Sequence, residues 1–262
     1  MAGNSAFEMV SERGWRRGLA NLLNNEFGRW WRTNRWWSQA LIWAGMIGFL
    51  MGAVVTQAGM KIEDLAMLYC IFASLGPSIA ITIIMQGAVV GEKQSGTAAW
   101  VLSKPASRPA FILAKLVAGS LGSLGSMVLA PGLVGYGILS YATGKLFNPL
   151  VFLGGLGVIW LVILFWLAFT LMLGTLFKSR GAVIGISLAL LLLQQNLIGL
   201  IRPLQFVLPW TLVVPLNDSN DAIVPNLLLG RPVTSFLPLV ITLLEILIFV
   251  AISLWRFEKE EF

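Results

Sequence analysis

Charged residues make up only 11% of this 262-residue chain, so each cluster of them is a candidate for chemistry. Glu245 stands alone within an apolar run from Ser235 to Trp255. A carboxylate inside hydrocarbon is costly; it can line a substrate path, take a proton, or accept hydrogen bonds that tie two helices together. Gln194, Gln195 and Asn196, consecutive amides in another apolar run, are the candidates for that partnership and for a substrate path. The densest set lies between Val89 and Lys115, where Glu92, Lys93, Lys104, Arg108 and Lys115 interrupt two very apolar segments. Asp218, Asn220 and Asp221 have the side chains to hold a cation, but in a Pro-rich turn they read more simply as turn formers.

Much chemistry is excluded. The chain has no His, and its one Cys, Cys70, sits in an apolar run, which removes a disulfide framework, a zinc site and any nucleophile needing a histidine base. No GxxxxGK[ST] phosphate loop is present; at the nearest look-alike, Gly144 and Lys145, Leu146 replaces the hydroxyl residue that would hold magnesium. Neither the spaced arginines of a voltage sensor nor a channel filter occurs. No catalytic or metal-binding set remains, and no energy source.

The elements that position these residues belong to an all-α integral membrane protein. Apolar residues are 57% of the chain and mean hydropathy is +0.83, against the roughly 25% charged residues of a soluble domain. Six stretches are long enough to cross about 30 Å of hydrocarbon: Trp37 to Ala58, Leu65 to Val90, Phe111 to Tyr141, Leu150 to Phe177, Gly181 to Ile201 and Ser235 to Trp255. Six crossings put both termini on one side. That side collects fourteen of the eighteen Lys and Arg, leaving Lys61, Lys145, Arg202 and Arg231 opposite, so the positive-inside rule makes the termini cytoplasmic. The same placement accounts for the net charge of +6 without nucleic acid.

The chain divides into a tail, residues 1–36, and a six-span domain, residues 37–262. No cleavable leader pattern precedes the first apolar run. Arg29, Arg32 and Arg35 interleaved with Trp30, Trp31, Trp36 and Trp37 predict an interfacial helix from Leu19 to Arg35 in the headgroup layer. Within the loop 91–110, Thr97 can cap a two-turn helix that Pro105 stops; a helix so short between two spans has little reason to exist unless something docks on it. Gly76 and Pro77 predict a kink in span two. Gly119, Gly122 and Gly125 with Ser120, Ser123 and Ser126 give span three a small-residue surface for close helix packing, compatible with a dimer seam. Residues 202–234, apolar yet broken by five prolines, predict an external re-entrant segment.

The loop then resembles the first cytoplasmic loop of the membrane subunits of ABC-2 type ABC transporters. That loop reads Glu, basic, two residues, Gly, Thr, a short apolar helix ending in Leu-Ser-x-Pro, then Arg and a later Lys. Here these positions are Glu92, Lys93, Gly96, Thr97, Leu102, Ser103, Pro105, Arg108 and Lys115. The arrangement of elbow helix, six spans and re-entrant segment matches as well. Many relatives carry an acidic residue after the Thr; Ala98 and Ala99 stand there, leaving docking to Trp100, Val101 and Leu102. The resemblance implies that residues 92 to 108 hold a coupling helix seated on a separate ATP-binding subunit, and that this chain is not itself an enzyme. It implies no cofactor on this chain, ATP and Mg on the partner, and pairing with a second copy or a paralogue. It also implies outward movement of a hydrophobic or amphipathic substrate across a bacterial or archaeal cell membrane. Two other readings stand beside it: an ion-coupled secondary transporter or channel using Glu245, and a non-transporting membrane anchor for a partner protein.

Overall fold

The computed structural model describes residues 14–56, 61–215 and 222–260, which leaves Arg13, Asp218, Asn220 and Asp221 outside the described residues. Its helices are α1 (Leu19–Trp31), α2 (Arg35–Val55), α3 (Ile62–Met85), α4 (Val90–Gln94), α5 (Thr97–Leu102), α6 (Arg108–Ser123), α7 (Ala130–Thr143), α8 (Pro149–Leu176), α9 (Arg180–Leu200), α10 (Trp210–Val213), α11 (Ile223–Leu228) and α12 (Leu237–Glu258). Among the described residues there is no strand, and six helical spans are long and apolar enough to cross a membrane. Helices satisfy every backbone hydrogen bond within the segment, which a bilayer interior demands. Local chemistry sets their ends. The Ser107 hydroxyl accepts from the Ala110 amide, 3.2 Å, at the start of α6, Asn148 accepts from the Leu150 amide, 3.0 Å, at the start of α8, and Gly144 in the left-handed region closes α7.

The third span is two helices joined by a π turn. Residues Leu124–Leu129 wind wider than an α-helix, directly before Pro131, which has no amide hydrogen to donate back into the preceding turn. At Pro77, in contrast, α3 continues as a single helix on both sides of the proline.

α8 is the central post, buried along most of its length, and α3, α6, α9, α11 and α12 all pack on it. α2 and α12 lie at the outside, with only 11% of their most apolar windows buried. The described parts of this outer segment, residues 202–215 and 222–234, turn back onto the bundle rather than into water: Leu212, Val213, Ile223, Val224 and Leu228 are buried, with α10 and α11 against α3 and α8. The Glu63–Arg231 ion pair ties this segment to the start of α3.

Two expectations about the elbow are corrected. α1 ends at Trp31 and the first span starts at Arg35, because the chain must turn at Arg32–Asn34 to leave the elbow direction. One of its tryptophans also does different work from that expected. Trp30 is 4% exposed and fills the groove above Gly122, where a methyl group would overlap its ring, while Trp31 lies against Gly125. Gly119 meets Leu167. The small-residue surface of span three is therefore occupied from within the chain and is not open for a seam with a second copy. Trp36 and Trp37 remain exposed, as an aromatic belt would be.

Candidate functional site

All the polar features at the end of the bundle that carries the termini converge on the segment between α3 and α6. Here α5 begins at Gly96, whose φ of 72° closes a left-handed turn that suits glycine best. Thr97 was expected as the cap but is the first helical residue, its hydroxyl 2.8 Å from that of Ser95; the glycine turn has taken the capping position. α5 ends at Leu102, three residues before Pro105.

One side of α5 faces the protein. Ala98 is buried, and Val101 and Leu102 pack against the main core. The other side is bare: Ala99, Ser103 and Pro105 are exposed, and Trp100 is 61% exposed. The Lys104 ammonium lies 3.5 Å from the centre of the Trp100 ring, a cation–π contact that holds the indole against the surface.

The base of this helix is fastened on every side. Glu92 accepts from Lys115 and from Arg29, at 2.8 and 2.7 Å, and Glu26 of α1 accepts from the same two cations, at 2.8 and 3.2 Å. Two carboxylates and two cations thus close a neutral cluster joining α1, α4 and α6. Burial opposes the Arg29 charge, but the hydrogen bond from Arg29 to Glu92 and the two carboxylates outweigh it, so its pKa lies above the ordinary value. Lys93 pairs with Glu260 at 2.9 Å, just past α12, and also donates to the Thr175 carbonyl at the end of α8. Gln94 donates to the Lys178 carbonyl, 2.8 Å, the Arg180 guanidinium fills the space beside Gly91, and Arg108 donates to the Glu258 carbonyl. The Ser107 amide donates to the Arg17 carbonyl, 2.8 Å. Elbow, spans two, three, four and six, and the turn before span five all hold this one segment.

The sequence-predicted residues therefore separate by role. Trp100, Ser103 and Pro105 present the free surface, together with Gly96 at its edge. Glu92, Lys93 and Arg108 are turned to other elements of the same chain. Glu26 escaped the reading of the sequence, and Lys115 was noted only as part of the loop. The available signal was a lysine two turns inside a span, which requires a counter-charge, and a lone glutamate beside Arg29.

The intramembrane candidates are not brought together. α12 packs chiefly on α8, and Glu245 Oε2 is buried without a hydrogen-bond partner among the described residues. Gln194 is 4% exposed and borders a small cavity with Ser74 and Ser78, whereas Gln195 and Asn196 are exposed. Among the described residues no group of His, Cys, Asp and Glu is placed to hold a metal ion.

A bundle of six apolar spans with both described ends on one side, carrying a clamped helix with a bare aromatic face, defines a polytopic membrane protein. The family model for "ABC-2 family transporter protein" matches residues 44–262, and the chain belongs to that family, as a multi-pass permease of an ABC transporter. A comparison with curated proteins found no match.

Proposed function

We propose that this chain is the permease subunit of an ATP-driven exporter, and that α5 is the coupling helix on which a separate ATP-binding subunit docks. The observation that carries the reading is the bare Trp100 face of a helix whose every other side is fastened. A partner that moves α5 pulls through Glu92 and Lys115 on the elbow and span three, and through Lys93 and Arg108 on the end of span six. Such rigid ion-pair links let a surface displacement reach the spans without being absorbed locally. ATP and Mg belong to the partner. The substrate is hydrophobic or amphipathic and moves outward through an assembly of two permease chains, identical or paralogous, with the termini cytoplasmic.

The test is co-expression with a cognate ATP-binding subunit, followed by detergent purification. Trp100→Ala, paired with Lys104→Glu, is expected to separate the two proteins and abolish substrate-stimulated ATP hydrolysis. A complex that survives both changes with full activity places docking elsewhere. Solute movement in vesicles by this chain alone, lost in Glu245→Gln, replaces the reading with an ion-coupled one. Partner binding without any substrate-stimulated hydrolysis leaves a membrane anchor.

A further inference from the structure

At the end of the bundle away from the termini, α9 runs into the tight turn Arg202–Phe206 and then α10. Between them lies a cavity of about 560 Å³, within the range of pockets that hold a small organic molecule. Its polar lining consists of Gln195, Arg202 and Gln205, a guanidinium and two amides, with Trp210 beside them. Among the described residues none of those lining it is acidic, and none forms an ion pair with Arg202. Trp210 Nε1 is itself buried, out of reach of that open volume, with no acceptor among the described residues.

Trp210 also borders the smaller cavity behind it, with Ser74, Ser78 and Gln194; Ser78 Oγ and Gln194 Oε1 are likewise buried without partners. The polar lining so continues inward along α3. Ile198 and Val214 form the apolar wall, and Leu200, Ile201, Phe206 and Val207 nearby are exposed apolar side chains.

Converging donors with one fixed positive charge suit an acceptor-rich anion, and the apolar wall and surroundings suit a hydrocarbon chain. We infer that this cavity binds the head of an anionic amphiphile, a carboxylate or phosphate on an acyl chain, with Arg202 as its charge partner and the Gln195 and Gln205 amides completing its hydrogen bonds. Arg202 suits the task because its planar fork meets two oxygens at once. That the bound amphiphile is cargo rests on the transport reading above; that it binds does not.

The experiment uses the full chain in phosphatidylcholine nanodiscs with tritiated oleate, read by scintillation proximity. Binding is expected to saturate, to be displaced by unlabelled oleate, and to resist oleyl alcohol, which has the chain without the charge. Losing a charge-assisted bidentate contact in Arg202→Gln should weaken it about tenfold or more, Arg202→Lys should retain part of it, and Gln195→Leu, which removes one amide donor, should weaken it a few-fold. Arg202 is exposed, and a monodisperse elution profile verifies that each variant is folded. Displacement after phosphatidylglycerol is added to the disc identifies a bilayer headgroup as the anion, and persistence identifies a free amphiphile; both support the site. Unchanged affinity in Arg202→Gln, equal displacement by oleyl alcohol, or displacement by inorganic phosphate alone overturns it. No ATP-binding subunit takes part, so failure here leaves the docking surface untouched, and failure of docking leaves this site standing.

Discussion

Lys115 is the only charged side chain among the described residues that is buried, at 3% exposure, and its two 2.8 Å contacts, to Glu26 and Glu92, explain how that is tolerated. Removing one partner from a buried ionic set leaves its opposite charges uncompensated. Lys115→Met is therefore expected to lower stability by on the order of 3 kcal/mol, read as a drop in the detergent melting temperature. Adding Glu92→Gln should recover part of the loss, because one stranded carboxylate becomes neutral; a double variant no better than the single would mean that the cluster is not acting as a unit. Glu245 is the contrasting residue. It too is an ionisable group within an apolar span, yet no described side chain bonds its buried oxygen, and no ion pair or hydrogen bond ties it to the segment between α3 and α6. Under the docking reading Glu245→Gln leaves stimulated ATP hydrolysis and its pH profile unaltered, and an altered profile would favour the ion-coupled reading. Spacing marks both residues as unusual in an apolar span, but whether a charge is paired depends on an element far away in the chain, as with Glu26, 89 residues before Lys115.

At the level of elements, the elbow and the coupling segment are each defined by what they pack on. α1 lies along α6 because Gly122 leaves room for the Trp30 ring, and close approach of this kind supplies much of the association between helices where lipid is as apolar as the side chains. Gly122→Ala should cost about 1–3 kcal/mol through overpacking, and adding it to Trp30→Ala should cost little further, since the ring that clashes is already gone; a full additive loss in the double variant would mean that the two do not share one contact. For α5 the expectation runs the other way. Trp100 is exposed and shares only a cation–π contact with Lys104, so Trp100→Ala should change stability by no more than about 0.5 kcal/mol while removing the bound ATP-binding subunit. A large fall in melting temperature would instead make Trp100 structural. The existence of α5, its length and its stop at Pro105 were legible from Thr97 to Leu102; which face it shows was not, because a two-turn helix has too few residues for its pattern to declare an inner side.

For the whole molecule, the orientation inferred from the distribution of Lys and Arg has a direct test. Cys70, the single native cysteine, is fully buried, so the wild-type chain should resist a membrane-impermeant maleimide. Lys104→Cys is expected to label only after the cytoplasmic face is opened, and Arg202→Cys in intact cells; the reverse pattern would invert the topology. Composition and hydropathy by themselves determined the six spans, because crossing a bilayer is a local demand on length and polarity that each segment meets alone; the family came from the resemblance of the loop from Glu92 to Lys115 joined to that arrangement of spans. The short helix α5 was legible for a similar reason, as a polar interruption with its own stop. Only the tertiary structure decided that Trp30 enters the protein rather than the headgroups, and that the glycines of span three are already filled. It alone joined Glu92 and Lys115 to Glu26, separated Glu245 from the amides of span five, and gathered Gln195, Arg202, Gln205 and Trp210 around one cavity. Each of these is a pairing between distant segments, governed by which surfaces meet when the helices pack, and no periodicity within one segment encodes its partner.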